Sequence, residues 1–119
     1  MKIDRFEDII AWQKSKELTK LIYSKFAESK DFSFRDQIQR ASVSIMNNIA
    51  EGFERKSNNE FKYFLYISKG SCGEVRSMLV LAYELHKINQ TDLEDMSSLS
   101  EEISKMLSGF IKTREDLTR

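Results

Sequence analysis

The sequence predicts an all-α chain, an up-and-down antiparallel four-helix bundle that fills residues 1–119 as one domain. Three observations point there. The 119 residues include no proline and only four glycines, so the residues that most often punctuate strands and hairpins are scarce, whereas long helices require none. Apolar side chains recur at steps of three and four through four successive stretches, the period of a helix buried along one face. The joints, near 29–33, 55–57 and 89–91, are only a few residues long, and short connections between long helices force antiparallel neighbours. A chain of this length holds one core, and with 40% apolar and 32% charged residues it is apolar enough to bury one.

The first stretch runs from about Phe6 to Glu28 and is carried by Phe6, Ile9, Ile10, Leu18, Leu21, Ile22 and Phe26, with a polar interruption from Gln13 to Glu17. The second runs from about Phe34 to Glu54, where Phe34, Ile38, Ala41, Ile45, Ile49 and Phe53 make one continuous face. Ser33 is its expected N-cap, with Asp36 in the first turn where the helix dipole favours an acid. The third begins after Ser57, whose S-x-x-E spacing to Glu60 reads as a capping box. Its apolar line is Phe61, Phe64, Leu65, Ser68, Cys72, Val75, Leu79, Ala82 and Leu85, and it is expected to reach Ile88, a span of roughly 46 Å at 1.5 Å per residue. Thr91 and Glu94 repeat the box before the fourth stretch, lined by Leu93, Met96, Leu99, Ile103, Met106, Leu107, Phe110, Ile111 and Leu117.

Charge excludes a global attraction to polyanions, because 19 basic and 19 acidic residues leave a formal net charge of +0. The distribution is uneven: residues 35–76 hold seven basic and five acidic side chains, and residues 90–119 hold four and seven. Any nucleic-acid contact is therefore expected on the middle of the chain. One cysteine cannot form an internal disulfide, and Met1 to Arg5 lack the apolar stretch of a signal peptide, which reads as a cytoplasmic protein. The longest apolar run, Met78 to Tyr83, is far short of the roughly 18 residues of a membrane span, so no membrane partner is expected.

Catalytic chemistry has few parts to work with. His86 is the only histidine, which rules out a Ser-His-Asp arrangement or a multi-histidine metal site within one chain and reads as a helix-end side chain. The Glu-x-x-His motif of di-metal bundles is absent, because Tyr83 stands three residues before His86. Cys72, among Ser68, Gly70, Ser71 and Gly73, reads as an inert buried thiol. No cofactor, metal or small-molecule substrate is expected, and the chain reads as non-enzymatic.

Two polar stripes carry the functional expectations. On the second helix Arg40, Ser44, Asn47, Glu51 and Arg55 share a face about 125° from the apolar line, while Asn48 lies nearer the core. On the third, Lys62, Tyr66, Lys69, Gly73 and Arg76 form a line with basic groups every seven residues and an aromatic ring between the first two. Such a line can track a nucleic-acid backbone and offer a ring for stacking, or it can be a solvated or subunit-facing surface. Arg40, Arg55, Lys62, Tyr66, Lys69 and Arg76 are the candidate RNA- or DNA-binding residues. Ser44, Asn47, Glu51, Gly70 and Gly73 are the candidate contacts between copies. An interior helical glycine costs about 0.5 to 1 kcal/mol relative to alanine, so the Gly70 and Gly73 pair is expected to be compensated by a close helix contact, within or between subunits.

The run Gln37-Ile38-Gln39-Arg40-Ala41-Ser42-Val43-Ser44-Ile45-Met46-Asn47-Asn48-Ile49-Ala50-Glu51-Gly52-Phe53 resembles the four-helix-bundle proteins encoded in intervening sequences of bacterial 23S rRNA genes. Phe6 with Trp12-Gln13, Arg55-Lys56-Ser57, Glu60-Phe61, Phe64-Leu65, and Gly70-Ser71 with Glu74-Val75-Arg76 extend the resemblance over essentially the whole chain. It implies a small helical bundle that assembles as a homopentamer, with an unassigned cellular role. The similar accessory proteins of diversity-generating retroelements bind nucleic acid and a reverse transcriptase. Two departures stand out. Met46 occupies a position where relatives usually carry proline, which restores a backbone donor and removes a cause of kinking. Gln39-Arg40 replaces a pair of adjacent arginines, which weakens the basic surface.

Overall fold

The computed structural model describes the backbone of residues 3–117 and side chains as far as residue 114. A short 3-10 turn, Phe6–Asp8, precedes four helices: α1 (Ile10–Phe26), α2 (Phe32–Phe53), α3 (Asn58–Glu84) and α4 (Gln90–Leu117). Each helix packs against its neighbours in sequence and α1 closes against α4, giving the antiparallel bundle with extents of 47 × 20 × 20 Å. The expected all-α four-helix architecture is the one observed, and no strand occurs among the described residues.

The ends of the elements differ from the sequence reading for local reasons. The first stretch is broken at Ile9, whose extended backbone (φ −75°, ψ 120°) lets its fully buried side chain turn into the core and separates the 3-10 turn from α1. Phe6 meets Trp12 edge to face at 5.2 Å, and Gln13 Nε2 donates to the Glu7 carbonyl at 2.9 Å, fastening the turn to the helix. α2 starts at Phe32, before the expected Ser33 cap, because the Asp31 carboxylate accepts the Phe34 N–H at 3.2 Å. Ser57 caps α3 as expected, accepting from Glu60 N–H at 3.2 Å. α3 stops at Glu84, short of Ile88. Beyond it the His86 N–H donates to the Tyr83 carbonyl and the Lys87 N–H to the Ala82 carbonyl, the paired bonds of a Schellman motif, with His86 at φ 60°. At α4 the cap is Asn89, not Thr91: Asn89 Oδ1 accepts the Asp92 N–H at 2.8 Å, and Asp92 Oδ2 accepts the Asn89 N–H at 3.3 Å. A capping box is thus present two residues earlier than expected.

The core follows the expected lines with four corrections. Ile10, Leu21 and Leu85 are half-exposed and lie outside it. The gap in the first stripe is filled by the buried Ala11 and Ser15, small residues that a search for large apolar side chains passes over. Leu117 lies beyond the described side chains. Buried hydroxyls form a mid-bundle layer in which each consecutive helix pair has one bond: Thr19 to the Ser42 carbonyl (3.1 Å), Ser68 to that of Ile45 (2.7 Å) and Ser100 to that of Cys72 (3.2 Å). Small donors that reach across to a neighbour's carbonyl allow close helix approach without an unsatisfied polar group. The α1–α4 closure adds Lys14–Glu102 at 2.8 Å and Lys25–Asp92 at 3.0 Å.

Candidate interaction surfaces on the second and third helices

The third helix shows two faces to two environments. Phe61, Leu65, Ser68, Cys72, Val75, Leu79 and Ala82 are buried in the bundle. At about 100° per residue the opposite face, within roughly 80° of Gly70, carries Tyr63, Tyr66, Ile67, Gly73, Ser77, Val80, Leu81 and Leu85, with Glu74 and Glu84 among them. All of these are exposed, Tyr63 by 63%, Tyr66 by 55% and Leu81 by 47%. This second apolar stripe escaped the sequence reading, which assigned Leu85 to the core. A signal for it was present: Met78 to Tyr83 is an unbroken apolar run on a helix with room for only one buried stripe.

Gly70 and Gly73 sit at the centre of that face. A methyl added at either would meet nothing within 4 Å, so the close contact expected of them does not exist inside the chain. The tight glycine is Gly52 on α2, where an added Cβ would lie 2.7 Å from Phe64 Cβ and 2.9 Å from Phe61 Cδ1.

The two polar stripes are not one surface. Those of α2 lie along its edge with α3, where Ser44 Oγ and Ser71 Oγ are 2.9 Å apart and Gln37 donates to Glu74 at 3.4 Å. Ser44 also accepts from Asn48 Nδ2 on both its carbonyl (2.8 Å) and its hydroxyl (2.9 Å), so it belongs to the internal α2–α3 seam. Asn47 and Glu51 remain exposed. Arg55 is already engaged, bonded to Glu51 at 2.9 Å, 3.8 Å from Glu60, and stacked over Phe64 at 4.8 Å.

Lys62, Lys69 and Arg76 lie along the other flank of α3, towards α4. Arg76 pairs with Glu101 there at 3.3 Å. Lys62, Lys69 and Arg40 form no ion pair with any described residue. Arg40 and Arg55 are therefore separated from the lysine line by the whole apolar face of α3, and the six candidate nucleic-acid residues do not converge.

His86 is exposed at the end of α3, and burial pushes the Cys72 thiol up to about 11, with its sulfur in the core beside the Ser100 hydroxyl. No cluster of three or more histidine, cysteine or acidic residues suited to a metal ion occurs among the described residues, and no described helix is long and apolar enough to cross a membrane.

The fold and its surfaces define a small antiparallel helical bundle whose third helix exposes a second apolar stripe between two separate polar stripes. The family model of the 23S rRNA-intervening sequence protein matches residues 7–109. The chain belongs to that family. A crystal structure of a protein of unknown function, from the S23 ribosomal protein family of Bacteroides thetaiotaomicron VPI-5482, is similar at 30% identity. The similarity covers 86% of this chain and 98% of that one, with a TM-score of 0.81. No protein of curated function matches the chain.

Proposed function

We propose that this chain is a non-enzymatic interaction protein that works as an assembly of its own copies, five of them as the resemblance implies. The contact surface is the outward face of α3 with the adjoining edge of α2 that bears Asn47 and Glu51. The observation that carries this reading is the run of exposed Tyr63, Tyr66, Ile67, Val80, Leu81 and Leu85 on a single helix. Monomers seldom leave contiguous apolar patches larger than a few hundred Å² in water, and a patch of this kind marks an association site. The open glycines at its centre fit the same role, since small residues let a partner's backbone approach closely. Light scattering at micromolar concentration is expected to give several times the 14.0 kDa of one chain. The double variant Ile67→Lys with Leu81→Lys, both exposed in the monomer, is expected to give a helical monomer. A clean monomer from the unaltered chain sinks the proposal.

A second reading, RNA or DNA binding in the cytoplasm, is supported by Lys62 and Lys69, which are left without ionic partners among the described residues and flank the exposed Tyr66. In an assembly this short line repeats in every copy, and multivalency can turn a weak patch into a useful one.

A further inference from the structure

α1 and α4 run side by side for only part of their length. Lys25 pairs with Asp92 and Lys14 with Glu102, so Ile10, the first residue of α1, stands level with Met106 of α4. Beyond that level α4 continues to Leu117 with no α1 beside it, and the non-helical entry of the chain at Ile9 and the 3-10 turn take the place of a helix. This strap does not seal the flank. A hollow of about 460 Å³ remains, walled by Ile3, Ile9, Ile10 and Ala11 on one side and by Met106 and Phe110 on the other. Asp8 is the one charged residue among the described residues of its lining. No residue of α3 reaches it, so the hollow is separate from the surface assigned above to self-association.

We propose that this hollow binds a small amphiphilic amine, its apolar body lying between Ile10, Met106 and Phe110 and its ammonium group on the Asp8 carboxylate. Ligand sites usually enclose roughly 300 to 1,000 Å³ behind apolar walls with a few placed polar groups, and this hollow has that size and composition. Ile10 is 50% exposed although Ile9 beside it is fully buried, and an apolar body seated here removes Ile10 from water. Met106 is unbranched and polarizable, a side chain that adapts to an irregular occupant.

Charge selects the head group. Arg5 lies 3.5 Å from Asp8, with both side chains more than half exposed. A surface pair of this kind is weak, and a carboxylate has room to accept from a second donor. The carboxylate of an anionic amphiphile would meet Asp8 as a like charge, and an alcohol would supply only a neutral donor. A protonated amine supplies a charge-assisted hydrogen bond at the edge of an apolar wall, the strongest of the three contacts.

Octylamine, protonated at about pH 7, is the probe, with octanol and octanoate as matched neutral and anionic bodies, each kept below the concentration at which it aggregates. Titration of the full chain followed by methyl NMR is expected to give saturable shifts at Ile3, Ile9, Ile10 and Met106. Octylamine is expected to bind about tenfold more tightly than octanol, and octanoate to leave these methyls unmoved. Asp8→Asn, at an exposed position, is expected to erase the preference for amine over alcohol while leaving octanol binding, helicity and solution mass as they were. Met106→Trp, which fills the hollow, is expected to abolish binding of both; where that variant fails to fold, the Asp8→Asn comparison decides. Shifts confined to Ile67, Val80 and Leu81, octanoate binding as tightly as octylamine, an Asp8→Asn chain that keeps the amine preference, or no saturable shift at all overturns the proposal. Self-association is untouched by these outcomes, since the solution mass of the unaltered chain tests it separately.

Discussion

His86 holds a backbone conformation that glycine adopts without cost. At φ 60° its Cβ crowds the following carbonyl, a strain of about 1 kcal/mol for an L side chain, and it is tolerated because the two Schellman bonds close the end of α3. His86→Gly is expected to stabilise the fold by roughly 0.5 to 1 kcal/mol, part of the gain being offset by the greater freedom of glycine in the unfolded chain. Thermal unfolding at fixed protein concentration measures it, and an unchanged or lower midpoint contradicts the strain argument. The Cys72 thiol gives a second prediction. Burial raises it to about 11 from an ordinary 9.0, so the folded chain favours the neutral form. That contribution is complete below about pH 9 and is lost as pH rises through 11. Alkylation at pH 8 is accordingly expected to be negligible in the native protein and complete in denaturant; rapid native labelling counts against a sealed core.

At the scale of the element, two glycines of similar appearance in the sequence have opposite consequences. Gly52 lets α2 pass against Phe61 and Phe64 on α3, whereas Gly70 is open on the far side of that same helix. Gly52→Ala is expected to destabilise the bundle by about 1 to 3 kcal/mol, because the Phe64 contact at 2.7 Å is with a Cβ fixed to the backbone and cannot swing away. Gly70→Ala is expected to stabilise the isolated subunit by about 0.5 to 1 kcal/mol through helix propensity, while weakening association. Denaturant midpoints of the two variants in a monomeric Ile67→Lys, Leu81→Lys background separate these effects, and equal shifts contradict the assignment. The sequence contained both glycines, the capping pattern and the apolar periods, but no local signal says which side of α3 a neighbouring helix will cover. The same blindness moved the caps. Asp31 and Asn89 have the chemistry of caps as fully as Ser33 and Thr91 do, and the choice between them depends on where packing allows the helix to begin.

For the whole molecule, zero net charge and a split basic surface set the limits on polyanion binding. The Lys62, Lys69 and Arg76 line is separated from Arg40 and Arg55 by an apolar face, and Arg55 and Arg76 are already paired with acids. If nucleic acid binds, it is expected to follow the lysine line alone, with a log-log salt slope near 0.7 to 0.9 in magnitude for each phosphate neutralised. Lys62→Gln with Lys69→Gln should flatten that slope and leave assembly mass unchanged, and Tyr66→Ala should weaken single strands more than duplex. No binding at low salt by a properly assembled protein removes the nucleic-acid reading.

The sequence by itself determined the number of helices, their order and most of their buried lines, because periodicity and short connections are local properties that antiparallel packing can satisfy in essentially one way. It also marked Ser57 as a cap and Cys72 as a core residue. Only the tertiary structure decided that Ile9 breaks the first stretch, that Gly52 is the glycine in contact, that Ser44 faces inward on the α2–α3 seam, and that α3 keeps a second apolar face in water. Each of these depends on what lies across from a residue. A helix with two apolar stripes reads the same in sequence whichever stripe the bundle buries, and the three other helices are what select the inner one and leave the stripe from Tyr63 to Leu85 exposed.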